Sequence, residues 1–434
     1  MTPPNTPKFD RRAVVSWCLY DWANSAFTTL VVTFVYATYF TQTFAVDENV
    51  GTQLWSRGIV ISSLLIAIAS PILGAIADRG GTRRRFLITS TFICIAATSA
   101  LTFISPTQDS AVVIALGVFI IANVAFEIGM VFYNSFLPTL APPKLIGRIS
   151  GYGWGLGYAG GLMALVFGLF GLVGLGGGEP LIRLSTEDGF NIRATNLLVA
   201  LWFLVFSVPT LLFVRDPARP VTRVKITDAL KDVAETFRKI QKYREVVKFL
   251  IARLVYNDGL ITIFAFGGIY AAGTFGMTFQ EVIIFAIVIN LGAGLGALLF
   301  GIVDDKLGGK TTVLFSIVAL AASSLLAVVA PSRAVFWIAG IGIGIFAGPN
   351  QAASRSLMGR FVPQRHQAEF FGFFAFSGKA TAFLGPLLLG TLTASFGQRV
   401  GVSSVLLFFA VGGVLLMLVN EREGIAAAEQ PSGS

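Results

Sequence analysis

The chain has 434 residues, of which 55% are hydrophobic and 13% charged. About 25% charged residues is ordinary for a soluble domain, so this composition, with a mean hydropathy of +0.76, excludes a soluble globular chain. The net charge of +9 does not point to nucleic acid, because the basic residues sort by membrane side.

A helical membrane span needs ~20 mostly apolar residues. Twelve such segments are predicted, at 13–40, 54–77, 85–105, 110–140, 149–175, 194–214, 246–274, 279–303, 311–331, 334–358, 368–396 and 400–420. They are called spans 1 to 12 below. The expected fold is all-α and polytopic, with six spans in residues 1–214 and six in residues 246–434. The polar, Pro-rich start "MTPPNTPKFDRR" shows no cleavage site, so span 1 is expected in the mature protein.

Of the 32 Lys and Arg, 25 fall at the termini and on one set of alternate loops, and 5 on the other set. Arg253 and Lys379 lie inside spans. The split predicts both termini in the cytoplasm. A bacterial inner membrane is the expected location, and the lipid bilayer the expected surroundings.

Span 1 carries "YDWANSAF" at 20–27. A charge at the bilayer centre costs at least ~2.5 kcal/mol, so it needs a partner, water or a purpose. By ~1.5 Å of rise per residue, Asp21 lies ~12 Å into span 1, Lys379 ~16 Å into span 11 and Asp258 ~18 Å into span 7. Glu127 lies in span 4 and Arg253 in span 7, whereas spans 3, 6, 9 and 12 carry no deep charge. Asn123, Glu127, Met130 and Asn134 step by four, three and four and share one helix face. Tyr20 and Asn24 share another, and so do Arg253, Tyr256 and Asn257. The structural alternative is interhelical pairing that fixes packing, for example Asp21 with Lys379. Three acids against two bases leave one carboxylate for H⁺ coupling.

Between spans 2 and 3 the chain reads "GAIADRGGTRRRF", and between spans 8 and 9 "GIVDDKLGGKTTV". Gly74 matches Gly301, Asp78 matches Asp305, Arg79 matches Lys306, Gly81 matches Gly308 and Arg83 matches Lys310. Two parallel six-span repeats are an established transporter plan. An acid at a helix end beside basic residues makes a breakable latch, so Gly74, Asp78, Arg79, Gly81, Arg83, Asp305 and Lys306 are the candidate cytoplasmic gate. Span 5 reads "GYGWGLGYAGG", with glycines four apart that admit a neighbouring helix. Residues 215–245 open with Pro217 and Pro220, and Ile226, Leu230, Val233, Phe237 and Ile240 then recur at helical spacing. A basic amphipathic linker helix is expected there. In span 10, Gly348-Pro349 is expected to kink the helix beside Asn350 and Gln351.

Cys18 and Cys94 lie in apolar segments, and the single histidine, His366, cannot build a metal centre alone. No metal, cofactor or nucleic acid is expected, and no nucleophile–base set suggests an enzyme.

The "GAIADRGGTRRR" segment resembles the loop 2–3 signature of the major facilitator superfamily, with Thr82 where an arginine is commoner. "YDWANSAF", "NSFLPTLA", "GRISGYGWGLGYAGGL", "ARLVYNDGLITIFAFGGIYAAGTFGM" and "SRSLMGRFVPQRHQAEFFGFFAFSGKATAFLGPLL" resemble its vacuole-effluxer branch, the "unknown major facilitator" family of bacteria. The resemblance implies a monomeric rocker-switch transporter with spans 1, 4, 7 and 10 around a central cavity. It implies a small polar solute, neutral amino acids first. A sugar or drug exporter, or a non-transporting scaffold or sensor, is the alternative. Span 5 lacks the proline of the drug-antiporter signature. The expected cavity residues are Tyr20, Asp21, Asn24, Asn123, Glu127, Asn134, Trp154, Arg253, Tyr256, Asn257, Asp258, Asn350, Gln351 and Lys379.

Overall fold

The computed structural model describes residues 10–174, 178–216 and 243–430. Most of the linker expected over 215–245, residues 217–242, lies outside the described residues. The regular structure among the described residues is all helical, with no strand, and eleven of its helices are long and apolar enough to cross a membrane.

The remaining segment, span 1, is helical in three consecutive pieces. Arg11–Ala26 is α-helical, Phe27–Phe34 is π-helical, and Tyr36–Thr43 returns to α after Val35. A π stretch this long is rare and marks strain or a functional position. Asp10 caps its start, accepting from the Arg12 amide at 2.9 Å.

The other spans follow hydropathy to within a few residues: Glu48–Gly80, Arg83–Leu101, Ala111–Ser135, Ile146–Gly168, Thr195–Phe213, Arg244–Phe275, Phe279–Leu307, Gly309–Val329, Arg333–Phe361 and Gln398–Met417. Local chemistry sets the ends. Asp47 caps span 2, and Thr278 with Glu281 forms a capping box at span 8. Gly81 takes the left-handed φ of 61° that terminates span 2. Pro71, Pro209 and Pro349 all sit inside unbroken helices. Span 10 continues as one helix through Pro349.

Span 11 departs most from expectation. Hydropathy predicts one helix over 368–396, but the helix stops at Lys379, turns through residues 380–383, and resumes as Leu384–Phe396. Interrupted helices inside membranes are tolerated only where other groups satisfy the freed backbone.

Packing follows the two sets of six. One apolar cluster runs through spans 1–6 around Trp17, Tyr133 and Phe203, and two others occupy spans 7–12. Trp17 and Tyr20 stack on Tyr133 at 4.5 and 4.8 Å. Such pairs add about 0.5–1.5 kcal/mol each beyond area burial. The two sets meet along spans 2 and 11 and spans 5 and 8. The glycines of span 5 make this possible: a Cβ on Gly151 would sit 2.4 Å from the Ala297 carbonyl of span 8, and one on Gly155 2.6 Å from the Leu298 side chain of span 8.

Candidate solute cavity and latch

Among the described residues two ion pairs deep in the spans cross between the sets, and a third, Arg148 with Asp305 at 2.9 Å, does so at the basic ends. In the first, Arg355 Nη1 lies 2.9 Å from Asp21 Oδ2, and both side chains are buried, 2% and 7% exposed. Arg355 also donates to Asn134 Oδ1 at 3.3 Å, Ser150 Oγ at 3.0 Å and the Ser150 carbonyl at 2.7 Å. Its guanidinium lies within 6 Å of the rings of Trp17, Tyr133 and Trp154. Span 10 thus sends one cation into a socket built by spans 1, 4 and 5. Gly153 makes room for it, since a Cβ there would meet Asp21 Oδ2 at 2.5 Å and Arg355 Nη2 at 2.7 Å.

This corrects two expectations. Asp21 does not pair with Lys379. Arg355, counted with the basic residues at the edge of span 10 and not among the deep charges, is a fully helical, buried residue of that span. Ser150, Trp17 and Tyr133 enter the socket with no sequence signal. Arg355 had one: it is four residues after Gln351, on the same helix face.

In the second pair, Lys379 Nζ lies 2.6 Å from Glu127 Oε1, and the side chains are 28% and 19% exposed. Lys379 ends the first half of span 11. The polar face of span 7 covers the break that follows. Arg253 donates to the Phe374 carbonyl at 2.7 Å and to Ser377 Oγ at 2.8 Å, with its guanidinium 3.6 Å from the Phe374 ring centre. Asn257 donates to the Gly378 carbonyl and Thr381 to the Leu254 carbonyl, both at 3.4 Å, and Gly385 of the resumed helix packs on the Asp258 carbonyl, which a Cβ there would meet at 3.0 Å. No base pairs with Asp258, and no acid with Arg253, among the described residues. Glu127, Lys379, Arg253, Asn257 and Asp258 therefore lie around one turn of broken helix.

The other predicted residues have local partners. Tyr20 is buried against Tyr133 and shares a hydrogen bond with Thr91 at 2.7 Å. Asn24 donates to Asp21 and to Met130 Sδ, both at 3.4 Å. Asn123 donates to Ser62, Asn350 to Ser316, and Tyr256 bonds Ser354, each within 3.0 Å. Gln351 accepts from Tyr158 across spans 5 and 10 at 2.5 Å. The Trp154 indole N–H is buried without a partner, close to Arg355.

At the basic ends of the spans, the two repeated acids do the same job. Asp78 Oδ2 accepts from the Glu369 amide at 2.9 Å, capping the first turn of span 11. Asp305 accepts from the amides of Gly147 at 2.8 Å and Arg148 at 3.3 Å, capping the first turn of span 5. Each acid therefore grips a helix of the other set. One turn earlier, Gly74 and Gly301 admit the same segments: a Cβ would meet the Ala368 carbonyl at 2.4 Å and the Gly147 carbonyl at 2.9 Å. Arg83 adds a bond to Gln367 at 2.5 Å and one to the Ser135 carbonyl at 3.0 Å. Arg79 and Lys306 are exposed. Asp304, beside Asp305, is held by Arg360 at 2.6 Å. The basic side of the molecule is closed.

Reciprocal helix caps and charged pairs thus join the two sets of spans. The fold matches the proton:xylose symporter XylE bound to 6-bromo-6-deoxy-D-glucose (TM-score 0.71, 12% identity, 95% of this chain and 96% of that one). It also matches the major facilitator superfamily transporter FucP (TM-score 0.73, 14% identity, 94% and 100%). The chain is an integral membrane transporter of the major facilitator type and not an enzyme. The family profile described as "Vacuole effluxer Atg22 like" matches residues 53–429, and the chain belongs to that family. It is 28% identical over 421 residues to the "Uncharacterized MFS-type transporter YxiO" of Bacillus subtilis (strain 168), covering 96% of both chains. It is 23% identical over 329 residues to "Autophagy-related protein 22-1" of Neosartorya fischeri, covering 67% of this chain and 52% of that one. It thus spans about half the length of such fungal relatives.

Proposed function

We propose that the protein carries a small polar solute, neutral amino acids first, by alternating access in a bacterial inner membrane, with both termini cytoplasmic. The observation that supports this reading is the Glu127–Lys379 pair. It joins spans 4 and 11 midway along their length, remains partly exposed, and lies beside Arg253 and Asn257. A zwitterion presents one carboxylate and one ammonium. It can exchange with such a pair so that no charge is left bare: the carboxylate takes Lys379 and Arg253, the ammonium takes Glu127. Release of the solute restores the pair. The rocking motion then opens the latch of Asp78 and Asp305 while the opposite side closes.

We assign coupling to H⁺, with Asp258 as the candidate carrier because Asp21 and Glu127 are both ion-paired. The working unit in this reading is a monomer.

Proteoliposome uptake of labelled amino acids, with sugars, nucleosides and organic acids as controls, tests the reading. An imposed pH gradient should accelerate uptake by wild type but not by Asp258→Asn. Lys379→Met should lose uptake altogether. Equal uptake of every solute class by wild type and Lys379→Met refutes the assignment.

A further inference from the structure

A chamber of about 400 Å³ lies among spans 7–12, away from the basic side. Phe266 and Tyr270 of span 7, Phe285 of span 8, Phe336 and Ile343 of span 10 and Leu389 of span 11 line it. Thr33 and Phe34, the last residues of the π stretch of span 1, close it from the other set of spans. Its size falls within the ~300–1,000 Å³ usual for small-molecule sites. The aromatic wall is held in place: Phe285 stacks on Phe336 at 5.0 Å, Tyr270 meets Phe336 edge-on at 5.7 Å, and the Tyr270 hydroxyl donates to the Ala327 carbonyl at 3.2 Å.

The chamber begins one helical turn along span 7 from Asp258 of the polar cluster. Thr262, one of its lining residues, donates to the Asp258 carbonyl at 2.7 Å. It is five residues beyond Asn257, or ~7.5 Å along the helix axis, a distance one small solute bridges. Gly267 widens the space, because a Cβ there would meet nothing within 4 Å.

We infer that this chamber receives a bulky apolar group of the transported solute, so that spans 7, 8 and 10 set selectivity while the Glu127–Lys379 cluster holds the charged head. This rests on the head-group reading above. A lipid acyl chain has the same apolar chemistry, and the test separates the two sources. An apolar side group of leucine or phenylalanine size should raise affinity roughly 10- to 150-fold over glycine.

The test is ligand-dependent thermal stability of the purified full-length protein. Glycine, alanine, leucine, phenylalanine, and indole, which has no charged head, are titrated against wild type, Gly267→Ala, Gly267→Leu and Lys379→Met. Apparent affinity should climb with side-chain size in wild type and Gly267→Ala. Gly267→Leu fills open space and should fold. It should lose at least tenfold in affinity for phenylalanine and indole while changing less than twofold for alanine. Lys379→Met should lose the amino acids and keep indole. If indole binds wild type but not Gly267→Leu and no amino acid binds, the chamber stands and the amino-acid reading falls. If amino acids bind without regard to size or to Gly267, the chamber assignment is overturned and the head-group reading stands. If neither indole nor any amino acid binds, or only a lipid of matched chain length competes, the solute assignment of the chamber is overturned.

Discussion

Asp21→Asn isolates the buried ion pair. The substitution keeps the shape of the side chain and removes its charge, so Arg355 stays 2% exposed with no acid beside it. Removing one partner of a buried pair costs about 3–5 kcal/mol. Arg355 keeps Ser150, Asn134 and three aromatic rings, which sets the expected cost at the lower end, about 3 kcal/mol. Asp21 and Arg355 lie on opposite sets of spans, so the pair exists only while the basic side is closed. The loss therefore weighs against the closed state alone and shifts the conformational equilibrium by roughly 100-fold toward opening on that side. Native Cys18 reports the shift. It is buried one turn from Asp21, against the Ile149 carbonyl, and the Arg355 charge reaches it. In a Cys94→Ser background, maleimide should label Cys18 much faster in Asp21→Asn than in wild type, and the melting temperature should fall. Unchanged labelling together with an unchanged melt would refute the claim that this pair holds the closed state.

Gly153→Ala pushes a methyl between the same two groups and should act in the same direction. Combined with Asp21→Asn it should add little, since both break one contact; fully additive melting shifts would place Gly153 in a separate interaction. Asp78→Ala and Asp305→Ala each remove a helix cap and should each destabilise by about 1 kcal/mol. The caps lie at different interfaces, so a double variant should show the sum in its melt and faster Cys18 labelling than either single variant. Glu127→Gln and Lys379→Met should change stability by less than about 1 kcal/mol, because the pair is partly exposed. Both should abolish stabilisation by amino acids; a large loss of stability with that response intact would make the pair a packing contact.

Sequence reasoning finds what depends on one helix at a time. The lengths of the apolar runs place the spans, the sorting of Lys and Arg marks the basic side, and the repeated "ADRGG" and "DDKLGG" segments point to the paired acids that cap helices of the opposite set. Hydropathy and helical period are local properties, so these features are legible without a fold. The cost of a buried charge likewise singles out Asp21, Glu127, Arg253, Asp258 and Lys379 as residues that require partners.

Which partner each one takes is decided between helices. It depends on the rotation and depth of spans more than 300 residues apart, as for Asp21 and Arg355. Hydropathy leaves Arg355 at the basic edge of span 10, beyond its apolar core; only packing against spans 1, 4 and 5 buries it. Span 11 reads as one apolar helix, and its break at Lys379 persists where Asn257 of span 7 bonds the Gly378 carbonyl and Thr381 of the turn bonds the Leu254 carbonyl of span 7. A single helix carries no information about such neighbours. The membrane class, the basic side and the list of costly residues thus came from the chain itself. The socket of Arg355, the pairing of Glu127 with Lys379 and the interrupted helix came from tertiary structure, because ion pairs and freed carbonyls are satisfied in three dimensions.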